Sequence, residues 1–176
     1  MSSKLTGKIE KGFIELYDKH ADAIFRYCYY RVYNREHAKE LMQEAFTKSW
    51  HYLSQGKEIK DLKAFVYKTA TNLIIDEKRR KRQSLSLEEL SENGFEVEDK
   101  TDEFEQININ YEANNVKVLL EQMEPDYKEV IVLRYINDLY PKEIAEILGE
   151  NTNVISVRLN RAMRRLRELL RANKMG

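Results

Sequence analysis

The chain has 176 residues, 30 Lys+Arg against 30 Asp+Glu, 42% hydrophobic and 34% charged residues, six glycines and two prolines. This supports one large core or two small ones, and the scarcity of breakers points to helices. No apolar run reaches the ~20 residues needed to span a bilayer, "MSSKLTGKIEKGF" lacks a secretory apolar segment, and a single cysteine, Cys28, excludes an internal disulfide, so the expectation is a cytoplasmic protein without a membrane role.

In chain order, Phe13 to Tyr33 carries apolar residues at 13, 16, 17, 24, 27 and 28, a helical stripe. A second helix is predicted from Glu36 to Leu53, where Ala38, Leu41, Met42, Ala45, Phe46, Ser49, Trp50 and Leu53 follow i, i+3, i+4 spacing. Gln55-Gly56-Lys57 ends it. A third helix starts at Asp61 as N-cap, buries Leu62, Phe65, Val66, Ala70, Leu73 and Ile74, and runs into "KRRKR" at 78–82. Residues 84–110 then lose the periodicity and read as an acidic flexible linker, in which "SLEEL" at 86–90 offers one capped turn and "FEVE" and "ININ" are weak strand candidates. Helical patterns resume at Val116–Met123 and "PDYKEVIVLRYIND". "PKEIAEILG" follows, with Pro141 in its first turn and Gly149 as C-cap, and the long "NTNVISVRLNRAMRRLRELLRA" ends the series.

Charge follows the same division. Residues 1–83 hold 18 Lys+Arg against 11 Asp+Glu, net +7; residues 84–126 hold 2 against 13, net −11; residues 127–176 hold 10 against 6, net +4. The fold class expected is all-α, two small helical domains at 1–83 and 111–176 joined by the linker 84–110. With few apolar anchors in the linker, the two domains are expected to have no fixed placement in a free monomer.

Two stretches carry chemistry. The last helix sets an apolar face (Ile155, Leu159, Ala162, Leu166, Leu169, Leu170) against Asn153, Ser156, Val157, Asn160, Arg161, Arg164 and Arg165. With the short helix before it and Gly149 at the turn, this is helix–turn–helix spacing, whose second helix enters the DNA major groove. Asn and Arg can read adenine and guanine edges bidentately. An antiparallel hairpin with a solvated arginine face fits the same pattern. On the third helix, the basic tail with Phe65 and Tyr67 nearby suits single-stranded nucleic acid, cations tracking phosphates and rings holding bases. Asn72, Asp76 and Arg80 succeed one another by single turns, and a surface network of Asp76 with Arg79 or Arg80 is the plainer alternative. His20, His37 and His51 are scattered without cysteine partners, so no metal is expected, and no cofactor. The absence of a glycine-rich phosphate loop or nucleophile elbow argues against an enzyme.

"AKELMQEAFTKSW", "KAFVYKTATNLIIDEKRRKR", "PDYKEVIVLRYINDLYPKEIAEILG" and "VISVRLNRAMRRL", in this order around an acidic linker, together resemble an extracytoplasmic-function sigma factor, a bacterial RNA polymerase specificity subunit. The likeness spans about residues 13–82 and 112–171. It implies a region-two domain that binds core polymerase and the −10 element and a region-four domain that reads the −35 element. By the resemblance, Glu40, Leu41, Gln43, Glu44, Phe46 and Lys48 meet the β′ clamp helices, and the β flap is a further polymerase contact. Asn72 holds a flipped base, with Asp76 beside it and Lys78, Arg79 and Arg80 on the backbone. Asn153, Ser156, Val157, Asn160 and Arg161 face the −35 element. Arg164 and Arg165 hold phosphates, and Arg158 either joins them or braces the fold. The acidic linker threads toward RNA exit and, by its charge, discourages DNA binding without core enzyme. An anti-sigma factor is a further partner of the type the family uses.

Four positions depart from the family pattern. Tyr140 stands where Ser or Thr usually caps, which leaves Asp138 or Pro141 to serve; Glu150 occupies a usually apolar turn position; Ser156 and Val157 replace the common Lys or Arg and Ser. The rival readings are a stand-alone helix–turn–helix regulator binding a palindrome as a dimer, and a helical adaptor without a DNA role.

Overall fold

Helix caps set the element boundaries. The structure is a computed structural model that describes residues 2–89 and 111–174. Helices α1 (Ser2–Val32), α2 (Arg35–Ser54) and α3 (Leu62–Glu89) form one bundle. Four more make the second: α4 (Tyr111–Glu121), α5 (Pro125–Ile131), α6 (Pro141–Leu148) and α7 (Thr152–Lys174). No helix among the described residues is long and apolar enough to cross a membrane.

The Asn34 side chain accepts from the His37 N–H at 2.9 Å and starts α2. Asp61 accepts from the Ala64 N–H at 2.9 Å and starts α3, as its sequence position predicts. Tyr33 leaves α1 with φ 52, a left-handed residue that turns the chain sharply into α2. Helix α3 runs on through residues 84–89, beyond the end of the first domain expected from sequence, so part of "SLEEL" continues the helix. The strand candidates "FEVE" and "ININ", with the rest of the linker, lie outside the described residues.

Apolar stripes close each bundle. Ile24, Tyr27 and Cys28 of α1, Ala38, Ala45 and Phe46 of α2, and Val66, Ala70 and Ile74 of α3 are buried together. Burial pushes the Cys28 thiol up to about 12, which leaves it a packing group. In the second bundle Leu120, Val130, Leu133, Ile144, Ile147 and Ile155 play the same part. Helix α5 continues into a π-helical turn, Val132–Ile136, and the Asn137 N–H donates to the Val132 carbonyl five residues back at 3.0 Å. This wider turn swings Asn137 out of register with α5 and toward the other bundle.

The two bundles pack on one another through side chains of both. Asn137 Nδ2 donates to the Ala23 carbonyl at 2.6 Å and to the Tyr67 hydroxyl at 3.0 Å. Tyr27 donates to Glu129 Oε1 at 2.9 Å, and Arg31 lies 3.5 Å from the same oxygen. Lys63 pairs with Glu143 at 2.9 Å on the rim. This seam is polar and buried: Arg31, Glu129 and Asn137 belong to no apolar stripe, and Tyr27, which does, joins it through its hydroxyl, which is why hydrophobic periodicity does not reveal it. Burial, with Glu129 beside it, raises the Tyr27 phenol well above its ordinary range, and burial takes Tyr67 up to about 12. Both hydroxyls therefore serve as neutral hydrogen-bonding groups.

Candidate nucleic-acid and polymerase interfaces

On α3, helical geometry turns a list of residues into a strip. Thr71, Leu73 and Ile74 face the core, and this exposes Lys68, Asn72, Asp76, Arg79 and Arg80 on the other side. Phe65, Lys68, Asn72, Asp76 and Arg79 succeed one another by three or four positions and so line up along one face. The strip ends in the basic run at one end. At the other it meets a concavity of about 300 Å³ lined by Tyr52, Ile59, Lys60, Phe65 and Lys68, and by the carboxylates of Glu58, Asp61 and Glu146.

The chemistry of that concavity suits a base taken out of its stack. The Tyr52 and Phe65 rings lie 5.0 Å apart, and the Lys57 ammonium sits 4.6 Å from the Tyr52 centroid. Aromatic faces with nearby cations are what grip unstacked nucleotides. Sequence reasoning placed Phe65 here but missed Tyr52, in the last turn of α2, and Lys60, in the loop before α3, because neither belongs to the periodic pattern of α3. Tyr67, the other aromatic it named, is 1% exposed, with its ring 5.7 Å from Tyr27, and cannot reach a nucleic acid. Among the described residues no ion pair joins Asp76 to Arg79 or Arg80. Instead Glu77 holds Lys81 at 3.4 Å and His37 at 2.7 Å, leaving Asn72, Asp76, Arg79 and Arg80 without internal partners. Desolvation, with Arg31 nearby, lowers the Lys78 ammonium.

On α2, Glu40, Gln43, Glu44 and Lys48 are exposed, whereas Leu41 and Phe46 are 5% and 3% exposed and belong to the core. Phe46 packs edge-on against Phe13 at 6.0 Å and Tyr17 at 4.8 Å. These two residues shape the helix's seat, and the polar four are what α2 exposes.

The helix–turn–helix is held by its turn. Gly149, at φ 67, ends α6, and the Glu150 N–H reaches back to the Ala145 carbonyl at 2.9 Å, a Schellman closure that a left-handed residue permits. Helix α6 begins at Pro141, and the Glu143 carboxylate accepts from the Tyr140 N–H at 2.8 Å. Burial raises the Glu143 carboxyl, but the hydrogen bonds from Lys63 and the Tyr140 N–H bring it below its ordinary value. Asp138 does not cap; its φ is 54 and it lies 3.6 Å from Arg134. Glu150, rather than loosening the turn, clamps it to α7 through Arg158 at 2.8 Å. Arg158 thus braces the fold.

On α7, Asn151 accepts from the Asn153 N–H at 2.8 Å and orders the first turn. Asn153, Val157, Asn160, Arg161 and Arg164 are exposed, while the Ser156 hydroxyl is spent on the Thr152 carbonyl at 3.0 Å. Arg165 is partly drawn aside by Glu124 and Glu168 at 3.7 and 3.6 Å. The amino-terminal half of this face opens on a concavity of about 470 Å³ shared with Tyr127 of α5.

The comparisons agree with this arrangement in both halves. The family description "Sigma-70 region 2" matches residues 16–84 and "Sigma-70, region 4" matches residues 113–166. The ECF RNA polymerase sigma factor SigW of Bacillus subtilis is 27% identical over 97% of each chain, and SigV of the same organism is 28% identical over 84% of each. Among solved structures, the sigma factor RpoE in complex with the anti-sigma factor NepR, from Bartonella quintana, aligns at TM-score 0.67 and 21% identity. That alignment covers 92% of this chain and 98% of RpoE. CnrH, in complex with the cytosolic domain of CnrY, aligns at the same score and identity over 93% and 90%. With both family regions matched in order, on a fold that presents a basic strip on α3 and a helix–turn–helix ending in α7, the chain belongs to the sigma-70 family as an extracytoplasmic-function sigma factor.

Proposed function

We propose that the work of this sigma factor divides between three surfaces. The domain at 1–83 docks on core RNA polymerase through Glu40, Gln43, Glu44 and Lys48. It captures the −10 strand along Phe65, Lys68, Asn72, Asp76, Arg79 and Arg80, with Lys78 on the backbone. The domain at 111–176 reads the duplex −35 element through Asn153, Asn160 and Arg161, with Arg164 on phosphates. The segment 84–110 links them. One observation carries this reading: the α3 strip is left without internal partners and runs unbroken from a base-sized concavity to a basic tail.

A base drawn into the Tyr52–Phe65 concavity leaves its stack at a cost of a few kcal/mol, and Asn72, one turn beyond Lys68 on the same face, offsets that cost with a hydrogen bond. The test is open-complex formation by reconstituted holoenzyme. Asn72→Ala is expected to reduce permanganate reactivity at the −10 element yet leave duplex −35 binding intact. Melting equal to wild type would remove Asn72 from base capture.

A further inference from the structure

Within the −35 surface, the feature that the polar readers do not explain is apolar. Val154 and Val157 are 44% and 49% exposed on α7, three positions apart and therefore on one face. They line the same concavity of about 470 Å³ as Asn153, Arg161 and Tyr127. The opposite wall carries Asp126, at the start of α5.

Each part of this notch favours a base edge over a phosphate. A carboxylate on the wall repels the backbone but tolerates the bases, and one base edge, cytosine N4, can donate to it. Arg158 lines the notch as well, but its guanidinium is held by Glu150 at 2.8 Å. Ser156 is turned back on its own helix. Beside Asn153, the front of α7 offers two valine side chains for direct contact. In the major groove the apolar group that distinguishes one base from the others is the thymine 5-methyl.

We propose that Val154 and Val157 each receive a thymine 5-methyl group, making the −35 preference of this sigma factor depend on two nearby thymines. The proposal rests on α7 being the −35 reader and names which chemistry it reads. Three residues along a helix rise about 4.5 Å, against about 3.4 Å per base step, so the two thymines lie within one or two base pairs of each other. Asn160 and Arg161, further along the helix, supply the hydrogen-bonded positions.

The experiment removes the methyls without touching the protein. Reconstituted holoenzyme selects from promoters randomised only in the −35 element, and the selected duplex is remade with deoxyuridine in place of each thymine. Wild-type holoenzyme is expected to lose about fourfold in affinity per critical methyl, the value of one buried methyl-sized group. Val157→Ala and Val154→Ala should each lose sensitivity to one deoxyuridine and keep it at the other. A selected element without thymines, or deoxyuridine tolerated at every position, overturns the proposal while leaving α7 as the reader. Selection of no −35 sequence at all would instead overturn the assignment of α7.

Discussion

The seam between the two domains and the exposed polar face of α7 are both polar, yet they are built in opposite ways. At the seam, Tyr27, Arg31, Tyr67, Glu129 and Asn137 are buried and bound to one another across the boundary. On α7, Asn160, Arg161 and Arg164 are exposed and hold no internal partner. Buried polar groups are tolerated only when satisfied, and each satisfied pair fixes one orientation. An exposed side chain held by water alone costs the fold nothing and remains available to a ligand. The seam therefore specifies arrangement, and the α7 face is left available to a ligand.

The largest effect should come from breaking the seam's charged contact. Glu129→Ala strands Arg31, whose side chain is 6% exposed, and loss of one partner of a buried pair costs about 3–5 kcal/mol. Because the seam joins two domains that each have their own core, the expected outcome is separation of the domains. Small-angle scattering should report a larger radius of gyration with helicity by circular dichroism retained. An unchanged radius would show that the seam residues are incidental to the packing.

Asn137→Ala comes next. It removes two hydrogen bonds, to the Ala23 carbonyl and to Tyr67, and leaves the hydroxyl of a 1%-exposed tyrosine less satisfied. About 1–3 kcal/mol is expected, read as faster amide exchange along α1 and α3 where they meet the π-turn. Exchange indistinguishable from wild type would assign the closure to the other contacts.

How much of this was legible in the sequence follows the same distinction. The helices, the Asp61 cap and the Gly149 turn follow from short-range rules, and Asn72, Arg79 and Arg161 emerge where helical spacing puts them. Glu129 and Asn137 look like ordinary helix-end residues until α1 and α3 are brought against them. Tyr27 and Tyr67 look like core or stacking aromatics, and only the fold shows their hydroxyls serving the opposite domain. Leu41 and Phe46 show the converse: a family motif names them beside exposed neighbours, but helical phase turns them inward.

A smaller effect should appear on titration. Burial, with Arg31 and Lys78 adding repulsion and Glu121 opposing it, lowers Lys128 from its ordinary value to about 8. The Lys128 ammonium also lies 4.1 Å from the Tyr33 ring centroid. Between about 8 and 10.5 the unfolded chain binds more protons at this residue than the folded chain, so stability rises with pH across that window. Lys128→Met should raise stability at pH 7 and flatten the rise. Urea midpoints measured at pH 7 and 9.5 for both proteins settle it, and a parallel rise in the variant would assign the dependence elsewhere.

The smallest effect on the fold, paired with a real one on binding, is expected on α2. Gln43 is exposed and not part of the core, and Glu44 makes only a 3.4 Å pair with Lys48 in which both side chains are more than half exposed. Exposed pairs of this kind contribute a few tenths of a kcal/mol, and surface substitutions generally stay within about ±0.5 kcal/mol. Gln43→Ala and Glu44→Lys should therefore leave the thermal midpoint within about two degrees of wild type. If α2 presents this face to core polymerase, the same substitutions weaken holoenzyme assembly, and reversing the charge at 44 should weaken it more than truncation at 43. Competition against a labelled wild-type chain for core enzyme measures the difference directly. A large fall in the midpoint would place these residues in the fold, and an unchanged competition constant would move the polymerase contact to another face.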